Sequence, residues 1–353
     1  MTLEQLGWDA SFAEAFEPYR AQGHSIGRVA SEHRDSYTIF SGHGELRGEL
    51  SGAFRHRAAR RSELPAVGDW VVLTALEQDG LGVIHAILPR RSCFSRKTAG
   101  LATEEQIVAA NVDTVFIVTG LDGNFNLRRI ERTLILAWES GANPVVVLSK
   151  SDLCEELEER AAEVESVALG VPVLAISAAE GKGLEQLERY TGPGMTVALI
   201  GSSGVGKSTL TNRLVGRDVQ QVTEVSASVG KGQHTTTRRE LLLLPSGGIV
   251  IDTPGMRELG IWNGDQGIRE TFEDIEALME NCRFRDCSHE DEPGCAVMEA
   301  VASGRLDPAR LRNYRKMLRE IEYHATRQDL QAQLRQKAKW KRIHKQVRNM
   351  NKR

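Results

Sequence analysis

The chain has 353 residues, with 45 Lys and Arg against 48 Asp and Glu, a formal charge of −3 and 41% hydrophobic residues. At roughly 100 to 200 residues per domain, that length excludes a single domain filling the chain and predicts two or three. The opening MTLEQLGWDA lacks a basic stretch and an apolar run, and no later stretch nears the roughly 18 apolar residues that span a bilayer. A cytoplasmic protein with no membrane partner is expected.

Between Ile26 and Leu88 five short β-type segments succeed one another, IGRVAS, SYTIF, GELRGELSGAF, GDWVVLTA and LGVIHAIL, divided by Gly, Asp and Pro. In the third, Leu46, Leu50 and Phe54 alternate with Glu45, Arg47, Glu49 and Ser51, so one face is buried and the other wet. Five strands in so few residues predict a small β-barrel of the OB-fold type over residues 26–90, after an extension of 25 residues. The loop FRHRAARRSELP carries Arg55, Arg57, Arg60 and Arg61. An oligonucleotide-binding barrel would aim these at RNA phosphates; a solvated loop on a purely structural barrel is the other reading.

After the basic connector RRSCFSRKTAG the pattern changes. TVFIVTG (114–120), PVVVLSK (144–150), PVLAISA (172–178), TVALIGSS (196–203) and GIVIDTP (248–254) are apolar runs without alternation, as strands covered on both faces must be. LRRIERTLILAWES and LCEELEERAAEVESVALG supply the covering helices. Residues 91–260 are therefore predicted to form an α/β doubly wound domain.

GSSGVGKST follows one of these strands and opens a helix, the context that a phosphate-binding loop requires. Gly201, Ser202, Ser203, Gly204, Val205, Gly206, Lys207, Ser208 and Thr209 would turn backbone N–H groups toward one point. Lys207 would reach the β and γ phosphates, and Ser208 would hold Mg²⁺. In SKSD, Asp152 can accept from N1–H and the exocyclic amine of guanine, a donor pair that adenine lacks, while the Lys150 stem packs along the base. A helix-capping aspartate is the alternative there. Ser177 and Ala178, in AISA, would flank the base.

IDTPG supplies Asp252 for Mg²⁺ through water and the Gly255 amide for the γ-phosphate. VGKGQHTTTRRE, between the phosphate loop and this strand, reads as a nucleotide-sensing switch whose threonines offer hydroxyls to Mg²⁺. Met256 stands where a switch glutamine would orient water, so another group must do so. His234 is the nearest chemically able one, against the alternative of a solvated loop histidine. SKSD and AISA precede the phosphate loop, which precedes GQHTTT and DTPG; in ordinary small GTPases base reading comes last. The predicted core is a circularly permuted P-loop GTPase domain, with every element still at the carboxyl end of its strand.

NCRFRDCSHEDEPGCAV sets Cys282, Cys287, His289 and Cys295 in the pattern C-x₄-C-x-H-x₅-C, a closed tetrahedral set for one structural Zn²⁺. Cys93 and Cys154 are isolated. DPARLRNYRKMLREIEYH places Leu311, Tyr314, Leu318 and Ile321 on one helical stripe, so residues 261–325 read as a helical zinc-binding domain. From Arg335 to Arg353 there is no acidic residue, and the 326–353 tail is either a polyanion contact or a solvated end.

With GKGQHTTT, DTPGMREL and the cysteine pattern in hand, the chain from about residue 26 to 325 resembles the bacterial small ribosomal subunit biogenesis GTPases of the RsgA family. The resemblance implies a GTPase stimulated by the small (30S) ribosomal subunit, binding near the decoding region of 16S rRNA in late maturation and timing the release of assembly factors. It implies that His234 is the catalytic histidine and that Thr236 or a neighbouring threonine is the switch ligand of Mg²⁺; a monomer is expected. One departure stands out. The family motif is N-K-x-D, and Ser149 replaces its asparagine, so guanine specificity is expected with weaker nucleotide affinity. A nucleotide-regulated RNA scaffold that does not hydrolyse, and an ATP-driven enzyme, are the rival classes.

Overall fold

Alternating apolar residues close the first sheet on itself. Strands β1 (Ser25–Glu32), β2 (Tyr37–Ser41), β3 (Gly44–Leu50), β4 (Trp70–Leu76) and β5 (Leu81–Ile87) run in the order β1-β2-β3-β5-β4, and β4 returns to β1. Ile39 fills the interior between Gly27 and Gly48, where any side chain would collide with it. The computed structural model describes residues 1–97, 105–123, 125–220, 239–252, 265–290, 292–323 and 326. They fall in two compact units, Met1–Gly260 and Ile261–Arg353.

The third predicted strand stops earlier than its alternation suggests. Ser51 accepts the Phe54 N–H at 3.2 Å and caps helix α2 (Gly52–Arg57), so the arginine stretch is a short helix and a 3-10 turn rather than an open loop. The first 25 residues, outside the sequence pattern, belong to the barrel's packing. Helix α1 (Ala10–Arg20), capped by Asp9, buries Phe12 and Phe16 with Leu6 against Trp70; the Phe12 and Trp8 ring centroids lie 5.8 and 4.8 Å from that of Trp70. The basic connector forms an antiparallel hairpin, β6 (Cys93–Lys97) with β7 (Glu105–Ala110).

The doubly wound sheet holds β8 (Thr114–Gly120), β9 (Asn143–Ser149), β10 (Val173–Ala175), β11 (Thr196–Ile200), β12 (Glu240–Leu243) and β13 (Ile249–Asp252). Their order is β10-β9-β8-β11-β13-β12, parallel except for β12. Helices α3 (Leu127–Ser140) and α4 (Leu157–Glu165) pack with β8 and β9 around Val115, Ile117, Leu134, Val146 and Val164. Helix α5 (Lys207–Val215) places Leu210 and Val215 among Phe116, Val145 and Val197 in a second cluster.

Barrel and core share one eleven-stranded sheet, because β1 pairs with β12 at Ser31 and Glu240. Behind that pairing sits a buried cation. Arg28 of β1 donates to the carbonyls of Leu6 (2.5 Å), Gly68 (3.1 Å) and Asn111 (2.9 Å) and to Thr196 Oγ1 (2.9 Å). One side chain thus ties the N-terminal segment, the barrel and the first residue of β11. Burial lowers its pKa to about 10, opposed by Asp113 and Asp69, so it stays charged near neutrality.

In the second unit, α6 (Asp265–Thr271), α7 (Glu273–Met279), α8 (Ala296–Ala302) and α9 (308–323) pack together. Leu311, Tyr314 and Ile321 are buried as the stripe predicts, whereas Met317, one residue before Leu318, takes the fourth place. Tyr314 meets Phe272 edge-on at 5.3 Å, and Arg310 donates to both oxygens of Asp274. Among the described residues no helix is long and apolar enough to cross a membrane.

Candidate functional site

The phosphate loop leaves β11 and enters α5 through two residues in the left-handed region, Gly204 (φ 76°) and Gly206 (φ 93°). Gly201 touches β8 so closely that a side chain would collide with the Val118 carbonyl. Lys207 Nζ folds over the loop and donates to the carbonyls of Gly201 (2.7 Å) and Ser202 (2.6 Å). The ammonium is thus held beside the point at which the loop's N–H groups and the α5 N-terminus favour anions. Ser203 is exposed, and Ser208 and Thr209 are half-buried in the first turn of α5.

SKSD and AISA follow β9 and β10 and are tied together, since Ser151 N–H donates to the Ile176 carbonyl and Ile176 N–H to that of Leu148. Ser149 is buried; its hydroxyl lies 3.1 Å from the Thr119 carbonyl and 2.5 Å from that of Val205, inside the phosphate loop. The residue that replaces asparagine therefore still braces the loop against β8 and β9. Lys150, at φ 59°, forms an ion pair of 2.6 Å with Asp122, while Asp152 is exposed and open to a base. Ser177 is fully buried, and its hydroxyl accepts the Glu180 N–H and shapes the loop, with Ala178 beside it.

Asp252 ends β13 and accepts from Gln220 Nε2 at 2.5 Å. Burial raises its pKa to about 6, with Gln220 and Lys207 pulling the other way. His234, Thr236, Gly255 and Met256 lie outside the described residues. Three contributors escaped the sequence reading. Asp122 positions Lys150; Arg129 of α3 donates to Ser202 Oγ at 2.9 Å; Arg213 of α5 donates to the carbonyls of Ala178 and Ala179 at 2.9 and 2.8 Å, linking phosphate helix to base loop. GLDGN after a buried strand was the available signal for Asp122. The two arginines look like ordinary helix-surface residues.

In the second unit the ligand atoms of Cys282, Cys287, His289 and Cys295 all lie within 4.8 Å of one another. Cys282 Sγ is 3.5 Å from His289 Nδ1 and 4.0 Å from Cys295 Sγ, and Cys295 Sγ is 3.7 Å from the same nitrogen. Zn–S and Zn–N bonds of about 2.3 and 2.0 Å require such spacings, so the donor set fits one tetrahedral ion. Cys295 also accepts the Met298 N–H at the start of α8. On the barrel, Arg57 donates to the His85 carbonyl at 3.1 Å, Arg60 N–H lies 3.4 Å from Glu63, Arg61 pairs with Glu32 at 3.7 Å, and Arg55 is exposed.

A phosphate loop on the central strand, with the SKSD and AISA loops before it in the chain and Asp252 after it, defines a circularly permuted P-loop GTPase. The model of the family described as RsgA GTPase matches residues 87–262. The small ribosomal subunit biogenesis GTPase RsgA of Opitutus terrae is 48% identical, over 98% of this chain and 96% of its own. That of Syntrophotalea carbinolica is 47% identical, over 98% and 97%. The crystal structure of YjeQ from Thermotoga maritima is similar at a TM-score of 0.62 and 31% identity, covering 84% of this chain and 98% of that one. YloQ, solved as a circularly permuted GTPase, follows at a TM-score of 0.61 and 26% identity, over 85% and 95%. The chain belongs to the RsgA GTPase family, and its chemistry is GTP hydrolysis.

Proposed function

We propose that this chain is a cytoplasmic, monomeric GTPase of small-subunit maturation. It binds the 30S subunit through 16S rRNA and hydrolyses GTP to GDP and phosphate faster when docked. The observation that carries the reading is the strand pairing of β1 with β12, which joins an OB barrel bearing Arg55, Arg57, Arg60 and Arg61 to the strand between the two switch segments. The working parts are the extension 1–25, barrel 26–90, GTPase 91–260, zinc module 261–325 and tail 326–353.

In this reading Asp152 and Lys150 read guanine, with Ser149 bracing the phosphate loop and Ser177 and Ala178 shaping the base wall. Gly201 to Thr209 cradle the phosphates. Ser208, Thr236 and Asp252 would hold Mg²⁺, which neutralises charge on the phosphates, and the Gly255 amide reads the γ-phosphate. His234 orients the attacking water in place of the glutamine that Met256 excludes. Cys282, Cys287, His289 and Cys295 would hold a structural Zn²⁺.

The test is the rate of phosphate release with and without purified small subunits. Clear stimulation that His234→Ala abolishes is the expected result; no stimulation of the unaltered chain would overturn the reading.

A further inference from the structure

Glu32 ends β1 where the barrel meets the GTPase core, and its carboxylate is shared. Oε1 lies 3.7 Å from Arg61 Nη2, in the turn after α2, and Oε2 lies 3.4 Å from Arg239 Nη1. Arg239 leads directly into β12 and follows His234 by five positions and Thr236 by three. Its side chain is only 12% exposed. Arg96 of β6, held by Gln106 Oε1 at 3.2 Å, is a third cation acting on it. Burial disfavours the Arg239 cation, as do Arg96 and Arg61, and Glu32 favours it.

Arg61 and Arg239 share the Glu32 carboxylate, and Arg96 brings a third guanidinium to bear on Arg239, so the cations of this half-buried seam outnumber the carboxylate that two of them share. Such a seam attracts an anion, and a guanidinium fits phosphate oxygens in bidentate fashion. The ion pairs to Glu32 are long and part-exposed, the kind that contributes little and exchanges readily. A phosphate that engages Arg61 competes with Glu32 Oε1, and the freed carboxylate turns wholly to Arg239. The side chain that gains is the one at the foot of the switch strand.

Resting on the proposed docking to the small subunit, we propose that Arg61 and Arg96 form a site for an RNA phosphodiester, and that Glu32 relays its occupancy to Arg239 and β12. Glu32 is then a positioning residue that touches neither nucleotide nor RNA. Coupling between two sites of this kind commonly amounts to fivefold or more.

The experiment compares basal and subunit-stimulated GTP hydrolysis of the full chain with that of Glu32→Gln, alongside subunit binding. Glu32→Gln should leave the basal rate within about twofold and subunit affinity within about threefold, yet lower the stimulated rate about fivefold. Arg96→Gln should reduce the salt slope of subunit binding by about one. Full stimulation in Glu32→Gln would overturn the relay alone, as would equal loss of basal and stimulated rates, which marks a merely structural residue. An unchanged salt slope in Arg96→Gln would overturn the phosphodiester site. No stimulation of the unaltered chain would instead overturn the proposed docking, and the relay with it.

Discussion

At Ser149 one hydroxyl faces two carbonyls, of Thr119 and Val205, and has a single proton to give. Ser149→Ala would leave the Val205 carbonyl without this partner, a loss of about 1–3 kcal/mol for a buried group. GDP affinity, read by titration with a fluorescent nucleotide, should weaken about tenfold; unchanged affinity would mean that the brace is idle. Asp252 gives a pH signature. Its pKa is raised to about 6 by burial, so the folded, nucleotide-free chain holds a proton that the unfolded chain has released above the ordinary carboxylate range. Stability from this group is therefore greatest at low pH and declines as pH rises from about 4 through 6. Magnesium takes the carboxylate form, so Mg²⁺-dependent GTP binding should show the opposite trend and weaken progressively below pH 6. Thermal unfolding across pH 4 to 7 tests the first trend and calorimetric titration of GTP across pH 5 to 8 the second; a flat binding profile would remove Asp252 from the metal site. Ser149, Lys150, Asp152 and the phosphate loop were legible because their chemistry is local. Asp122, Arg129 and Arg213 were not, since each acts through a neighbour that only the folded sheet brings near.

Among the elements, β8 and α3 lie where the sequence puts them, at 114–120 and 127–140. A strand buried on both faces announces itself, and a capped helix with a strong apolar stripe does too. Five elements were hidden. The β6-β7 hairpin carries Arg96 and Lys97, which read as a basic connector until Gln106 and Glu105 oppose them. The four residues of β12 are too few for a pattern. Helix α2 was masked by an alternation that runs past its Ser51 cap. Helix α1 has a modest apolar stripe and a proline at position 18, and its role emerges only against Trp70. Phe12→Ala should cost about 3–5 kcal/mol by the cavity it leaves among Trp8, Trp70 and Leu6. Differential scanning calorimetry should show the first unit melting several degrees lower; an unaltered transition would make α1 an ornament of the barrel.

For the whole molecule, the division at Gly260 separates two sources of stability. The first unit rests on large apolar clusters, while the second packs its helices over Phe272, Leu311 and Tyr314 and carries the four residues that could hold a metal ion. Stripping zinc with a chelator, or Cys287→Ser, should lower the melting of the second unit and leave that of the first in place. A metal assay of one zinc per chain, falling to none in the variant, accompanies that outcome. Basal GTP hydrolysis should persist, because every residue proposed for the nucleotide site lies at or before Gly255.

Arg28 sets a limit on modularity. An oligonucleotide-binding barrel is often pictured as a cassette that recombination can attach to any enzyme. Here the cassette's own cation is satisfied by a glycine turn of the barrel, by the N-terminal segment and by the backbone and threonine of the enzyme it serves. A gene fragment encoding the GTPase alone would expose the β12 edge and take the Arg28 donor from Asn111 and Thr196; one encoding the barrel alone would leave Arg28 only its Leu6 and Gly68 acceptors. Ancestry and engineering face the same restriction: the two halves must be inherited, expressed and altered as one piece.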